Sequence, residues 1–218
     1  MKYFKITLLL FLLIFSNSLV AKDAKKISVK EKKERFRSLI VPAVNRVYKE
    51  LTLQYNDISR DLKNPKYRSK IQSLKKTYKV KSDEELLMAL KPHPKSIAVA
   101  QAAMESAWAT SRFFIKARNI FGVWSFNKNE PRIAASQKRG KKTIWLKKYR
   151  SIESSIRDYY KNLGRSPAFK KFRKLKMKTE DPYKLVKELD RYSEMGPKYE
   201  QELASMIKYN KFYLYDKK

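Results

Sequence analysis

Residues 96–111 read SIAVAQAAMESAWATS, and Glu105 is the only ionisable side chain among them. The stretch is long enough for about four turns of helix. Its other residues are small or apolar nearly all round, which is the pattern of a helix enclosed by its own domain. A carboxylate left there without a partner favours its neutral form, so its pKa rises. A carboxylic acid still protonated near neutral pH is what a general acid requires. The same residue also fits the single wet face of a helix, or a pair with a distant Arg or Lys. The run by itself leaves these readings open.

The surrounding chain has 218 residues, enough for one domain with a sizeable core, and a formal net charge of +31. Such an excess calls for an anionic partner: nucleic acid, a membrane surface or an anionic polymer. The N-terminus chooses among them. Two lysines precede the ten-residue apolar run Ile6–Phe15, and small, mildly polar residues 16–21 follow. Residues 1–21 therefore read as a signal peptide, cleaved after Ser18 or, by preference, after Ala21, and the apolar run is too short to span a bilayer comfortably. Its removal takes away Lys2 and Lys5 and no acid, leaving +29. An exported protein of this charge is expected in the periplasm or at the surface, associated peripherally with an anionic wall or membrane rather than with nucleic acid. The chain has no cysteine and one histidine, so disulfides, a lipid-modified cysteine and a structural zinc site are not expected. His93, in Lys91-Pro92-His93-Pro94, reads as a loop residue. No cofactor or metal is called for, and nothing in the pattern demands more than a monomer.

Residues 22–34 are lysine-rich and read as a basic linker. The domain is expected over 35–218, with 35–91 as an N-terminal helical extension packed against the rest. Phe36, Ile40, Ala43, Val44, Val47 and Leu51 recur at helical spacing, with weaker helical patterns at 58–62 and 67–74. Ser82 caps a short helix over 83–90. After the Glu105 helix come a polar, basic stretch over 111–119 and the turn Asn119-Ile120-Phe121-Gly122. Strands at 132–137 and 143–149 flank the hairpin signal Lys138-Arg139-Gly140-Lys141. Ser151 caps a helix carrying Ile156, Tyr159, Tyr160 and Leu163, and further short helices lead to a last one with Tyr199, Leu203 and Ile207. The expected fold is mostly α (α+β), with one small β-hairpin lobe. Trp108, Phe121, Trp124, Phe126, Trp145 and Tyr149 cluster downstream of Glu105. Flat apolar faces of this kind suit stacking on pyranose rings, and equally suit core packing.

The segment Ala100–Ser111, AQAAMESAWATS, resembles the AQAALESGWGTS signature of bacterial peptidoglycan glucosaminidases, glycoside hydrolase family 73 and its relatives. Asn119-Ile120-Phe121-Gly122 matches the NLFG that follows it. Tyr149-Arg150-Ser151 with Ser154, Asp158 and Tyr159, and Tyr192-Ser193-Glu194-Met195-Gly196 with Tyr199, narrow the resemblance to the Bax-type glucosaminidases of Gram-negative bacteria, over roughly residues 30–210. The resemblance implies a lysozyme-like fold and cleavage of the β-1,4 bond after N-acetylglucosamine in peptidoglycan glycan strands, with Glu105 as general acid. It implies Tyr192 in the catalytic groove, and Trp108, Asn119, Phe121, Trp124 and Tyr149 as substrate-binding residues. Ala107 and Ala109 stand where the family usually has glycine; read as part of a helix, they are a mild change.

The departure that matters is the second carboxylate. Some relatives carry it in the hairpin, but Arg132–Lys148 contains no Asp or Glu. Glu130 precedes this stretch, and Glu153 and Asp158 follow it. The substrate's own acetamido group can serve as nucleophile instead. Alternatively the enzyme is a lytic transglycosylase, with one Glu acting as acid and then base. A non-catalytic basic wall-binding protein on the same fold is the remaining alternative, and a nucleic-acid binder has only the charge in its favour.

Overall fold

A computed structural model describes residues 27–139 and 142–217. The expected signal peptide, residues 22–26 of the expected linker, and Gly140 and Lys141 of the hairpin turn lie outside the described residues. Helix α1 runs over Val29–Arg60, and Ser28 and Glu31 form a reciprocal capping box at its start. Residues 29–34, read as the end of a linker, are therefore helical. The weak pattern at 58–62 is no separate helix either: α1 continues to Arg60 and buries Ile58. A 3₁₀ turn at Pro65–Tyr67 leads to α2 (Arg68–Tyr78), and Ser82 caps α3 (Asp83–Leu90) as its sequence indicates. Ile58, Ile71, Tyr78, Leu86, Ala89 and Leu90 form a small satellite core.

Helix α4 (Lys95–Glu105) is enclosed, with every residue from Ser96 to Ala103 buried. It packs against α1, against α6 (Ile152–Arg165) through the shared core, and against α9 (Pro197–Tyr209). Between these helices lie α5 (Arg112–Ala117), the strands β1 (Arg132–Arg139) and β2 (Lys142–Lys147), and, after α6, the short helices α7 (Lys170–Lys176) and α8 (Pro182–Leu185). The strands pair antiparallel, Arg132 opposite Lys147 and Ala134 opposite Trp145, with an irregularity between Ala134 and Lys138. Ala135, Ile144 and Leu146 bury one face of this lobe against Phe113 and Trp124. The result is mostly helical with one hairpin. Helix α6 is tied to α1: Arg157 pairs with Glu50 and Glu153 with Arg46. Gly164 lets α6 approach α2 and α3 closely, because a β-carbon there would stand 2.8 Å from both the Tyr78 ring and the Ala89 carbonyl oxygen.

Helix α4 does not continue through Ser111. It stops at Glu105, and Ala107, Trp108 and Ala109 follow with φ of 49°, 61° and 61°. Ser106 organises this left-handed turn. Its hydroxyl donates to the Ala102 carbonyl (2.5 Å) and accepts from the Ala109 N–H (2.8 Å), and its own carbonyl accepts from Ser111 (2.9 Å). The two alanines at family glycine positions are therefore not helical substitutions, as their sequence reading had them, but L-residues in backbone that favours glycine. Ala107→Gly is expected to stabilise the fold by about 0.5–1 kcal/mol, since relief of the left-handed conformation outweighs the extra freedom of the unfolded chain. Urea unfolding of the two proteins measures this; a loss of stability would contradict the turn.

Candidate active site

The reason α4 ends at Glu105 is also what presents the carboxyl group. The turn at 106–110 diverts the chain, leaving Glu105 half-buried at the helix end. Burial raises its pKa to about 8, against a smaller lowering by a hydrogen bond from Tyr199. That hydroxyl donates to Glu105 Oε1 over 3.0 Å. Behind it stands a chain of buried groups. Gln101 Nε2 donates to the Tyr199 hydroxyl (2.7 Å), and Tyr159 donates to Gln101 Oε1 (2.5 Å). His93 Nε2 lies 2.9 Å from the Tyr159 hydroxyl. Because Tyr159 has a single proton and gives it to Gln101, His93 Nε2 must carry the hydrogen of that contact. Burial, with the Lys176 charge adding to it, holds the His93 pKa well below its ordinary value, so the imidazole is neutral. Every donor in the row points toward Glu105. With Oε1 occupied by Tyr199, the acid proton of Glu105 belongs on Oε2.

His93 does sit in the connection expected for it, but only 1% exposed and stacked on Tyr160 at 4.4 Å. Gln101 and Glu105 are one helical turn apart on the same face, which was the available sequence signal for the row. Tyr159 and Tyr199 stand in the motifs that carry the resemblance, but nothing in the sequence links them or His93 to Glu105.

A cavity of about 480 Å³ lies beside this row. Trp124, Phe126, Pro167 and Phe169 line it together with Tyr159 and Tyr192. Glu105 is not on its lining. It reaches the cavity through Tyr199, on which Tyr192 stacks at 5.5 Å and 12°. Of the residues expected to bind substrate, Trp124 and Tyr192 are on this wall. Tyr149 is tied by its hydroxyl to Asp158 Oδ2 (2.7 Å), and burial and that carboxylate push its pKa up.

The other three are engaged within the fold. Asn119 is buried and fully engaged: its amide donates to the Val123 and Lys147 carbonyls, both at 2.9 Å, and accepts from the Val123 N–H (2.9 Å). It shapes the loop and ties it to β2. Phe121 is wholly buried and stacks on Tyr159 at 4.0 Å. Trp108 is turned by its left-handed backbone into the gap between Phe36 of α1 and Phe212 near the C-terminus, with Lys33 over its ring. Their aromatic and amide groups hold the scaffold.

The candidate second carboxylates separate as clearly. Glu153 is held by Arg46, while Asp158 accepts from Lys147 Nζ (2.9 Å) as well as from Tyr149. Glu130 lines the cavity, accepts from the Ser125 hydroxyl (2.7 Å) and lies 3.8 Å from Lys147. Among the described residues no group of three His, Asp or Glu side chains is placed to hold a metal ion, and no helix is long and apolar enough to cross a membrane.

A family model described as mannosyl-glycoprotein endo-beta-N-acetylglucosaminidase matches residues 84–212, from α3 to the end of the domain and across the whole Glu105 row. The chain belongs to the glucosaminidase family. It is 25% identical over 197 residues to Protein bax of Escherichia coli (strain K12), covering 82% of this chain and 70% of that relative. Among solved structures it resembles the catalytic domain of the autolysin Auto from Listeria monocytogenes (TM-score 0.53, 18% identity, 88% of this chain and 92% of that one). It also resembles a peptidoglycan hydrolase mutant from Sphingomonas sp. A1 (TM-score 0.51, 18% identity, 84% of this chain and 97% of that one). These likenesses establish the lysozyme-like fold of this glucosaminidase-family chain.

Proposed function

We propose that this protein is an exported endo-β-N-acetylglucosaminidase that cleaves the β-1,4 bond after N-acetylglucosamine in peptidoglycan glycan strands, in the periplasm or at the cell surface. The observation that carries the reading is Glu105: a half-buried carboxyl group, raised to about 8, with one oxygen fixed by Tyr199 and the other left to hold a proton. Such a group stays protonated at neutral pH and can protonate the leaving glycosidic oxygen. That the Sphingomonas protein is a peptidoglycan hydrolase and Auto an autolysin agrees with that substrate, as does an N-terminus that reads as a signal peptide.

Glu130, the carboxylate on the cavity lining, is engaged by Ser125 and Lys147. That favours the substrate's own acetamido oxygen as nucleophile at the anomeric carbon. As this bond forms, the Glu105 proton passes to the departing oxygen. Water then opens the cyclic intermediate and its proton returns to Glu105. The Tyr192 ring, on the cavity wall, would steady the reacting sugar.

Mass spectrometry of purified peptidoglycan digested with the mature protein tests this. Reducing-end N-acetylglucosamine is the expected product. Anhydro-muramyl ends would establish the lytic transglycosylase instead, and no products would leave a wall-binding protein.

A further inference from the structure

The first turns of α1 meet the 3₁₀ turn Phe212–Asp216, which follows α9, along a seam. Lys33 Nζ donates to Asn210 Oδ1 over 2.9 Å, and the Arg37 guanidinium lies 6.0 Å from the centre of the Phe212 ring. Phe212 is wholly buried beside Trp108 and pins the seam to the domain. Phe212 and Tyr215 stack three residues apart, so Tyr213 and Leu214 between them turn outward and are exposed. Tyr209, at the end of α9, is 80% exposed. Val29 occupies the same helical face as the buried Phe36, Ile40 and Val47, yet is 69% exposed. Charge follows the same seam. Val29–Arg37 and Lys208–Lys217 together hold eight Lys and Arg against three acids. Lys30, Lys33 and Arg37 recur at i, i+3 and i+7, a single stripe of α1 along the seam. Two of the three acids are engaged: Glu31 accepts from the Ser28 N–H in the capping box, and Asp216 accepts from the Ser96 N–H (2.9 Å). Among the described residues the side chains of Lys30, Lys208 and Lys211 carry no hydrogen bond or ion pair. The start of α1 and residues 213–217 lie outside the segment that the family model matches, 84–212, and none of these side chains lines the aromatic cavity.

Cations gathered in this way are drawn to an anionic surface, and the attraction weakens with salt. Charge alone does not choose between an anionic polymer and a layer of lipid headgroups. The exposed side chains do. Val29 and Leu214 are aliphatic and offer nothing to the hydroxyls or phosphates of a polymer, whereas their burial at the boundary of headgroups and acyl chains is favourable. Tyr209 and Tyr213 each carry an apolar ring with a polar tip, the form of side chain that settles at headgroup level, and lysines reach from there to phosphates along their apolar stems. We infer that this seam is a docking face for an anionic phospholipid surface, with Val29, Tyr209 and Leu214 entering the headgroup layer and Lys30, Lys208 and Lys211 on the lipid phosphates. Peripheral association with an anionic wall or membrane, expected from composition, is thereby narrowed to one face and one partner. Docking there does not depend on glycan cleavage, since neither Glu105 nor the aromatic cavity takes part.

The test is co-sedimentation of the mature protein with vesicles of phosphatidylcholine, alone or with phosphatidylglycerol added. At least about tenfold stronger partitioning onto the anionic vesicles is expected, falling as sodium chloride is raised. Three double variants separate the face from the charge of the whole protein. Lys30→Gln with Lys208→Gln should lower partitioning about tenfold, since each lysine held near such a surface adds to the attraction. Tyr209→Ser with Leu214→Ser should lower it by a similar factor while leaving the net charge unchanged. Lys63→Gln with Lys66→Gln removes the same charge beyond the far end of α1, whose 32 residues span about 48 Å, and should leave partitioning within about twofold of the parent. Loss in both seam variants and not in the distant one establishes the face. No partitioning onto anionic vesicles, equal partitioning onto neutral ones, or equal losses for the near and far lysine pairs overturns it. Loss with Lys30 and Lys208 but none with Tyr209 and Leu214 overturns the lipid assignment in favour of a polyanion, which polyphosphate binding by the same variants would then show. Turnover is not read, so the outcome is the same whether or not the protein releases sugar from peptidoglycan.

Discussion

Glu105→Gln lowers kcat on peptidoglycan by about 10³-fold, the loss typical of removing a general acid, and at the same time stabilises the fold at alkaline pH. The amide keeps an oxygen to accept from Tyr199 but has no acid proton to give the leaving group. The stability change follows from linkage. This carboxyl titrates near 8 in the folded protein and near 4.5 as an ordinary glutamate. Below the lower value both states hold the proton and the site costs nothing. Between the two, the unfolded chain releases its proton while the folded chain retains it, so stability falls as pH rises, by on the order of 4 kcal/mol once pH passes 8. The variant escapes that loss. Urea unfolding should therefore show the Glu105→Gln protein gaining on its parent between pH 5 and pH 9. A stability difference that does not vary with pH would mean that Glu105 is not held protonated. The parent's activity should carry a basic limb near pH 8, where the acid form disappears.

The isolation of Glu105 was legible in the sequence because one charge in an apolar run stands out as a buried acid, a buried pair or the wet face of a helix, and among the described residues the structure leaves it half-buried with no cationic partner. The caps at Ser82 and Ser151 and the hairpin were legible for the same reason, since each is a local signal read within a few residues. The Glu105 row was not. Its links join α4 to α6, to α9 and to the connection before α4, at sequence separations of 58 to 98 residues, and Tyr159 and Tyr199 look from sequence like any residue on an apolar helical face. Nor does residue type separate a sugar platform from a structural ring. Trp108 and Trp124 are both tryptophans shortly after the acid, yet one fills the gap between Phe36 and Phe212 and the other faces the cavity. What sent Trp108 inward is three consecutive left-handed residues, in a stretch whose composition reads as helix. Helix α5 was obscured in the same way, because its exposed basic residues hid the Ser111 cap.

Tyr199→Phe separates the chemical role of the row from its packing. The substitution keeps the ring that stacks on Tyr192 and removes only the hydroxyl joining Gln101 to Glu105. That hydroxyl donates to the carboxylate, so it stabilises the ionised form and holds the Glu105 pKa below the level burial alone would set. Without it the pKa rises further, and the basic limb of kcat/KM should move upward by about one pH unit. The turnover rate at neutral pH should fall about tenfold, because the carboxyl loses the bond that fixes its orientation, and a misplaced acid loses much of its effect. Tyr192 and Tyr159, the other titratable groups around Glu105, have pKa values pushed well up by burial and stay neutral through this range, so the limb reports Glu105 alone. Gln101→Leu supplies the control from the next link: it leaves the Tyr199 hydroxyl present but without its donor, and should lower the rate while moving the limb less than Tyr199→Phe does. A pH–rate series on the three proteins decides the matter. If Tyr199→Phe loses rate with the limb unmoved, the hydroxyl orients Glu105 without setting its pKa, and Glu105 owes its raised pKa to burial alone. If the limb moves down, the hydroxyl accepts from Glu105 rather than donating to it, and the order of donors from His93 to the acid runs the other way.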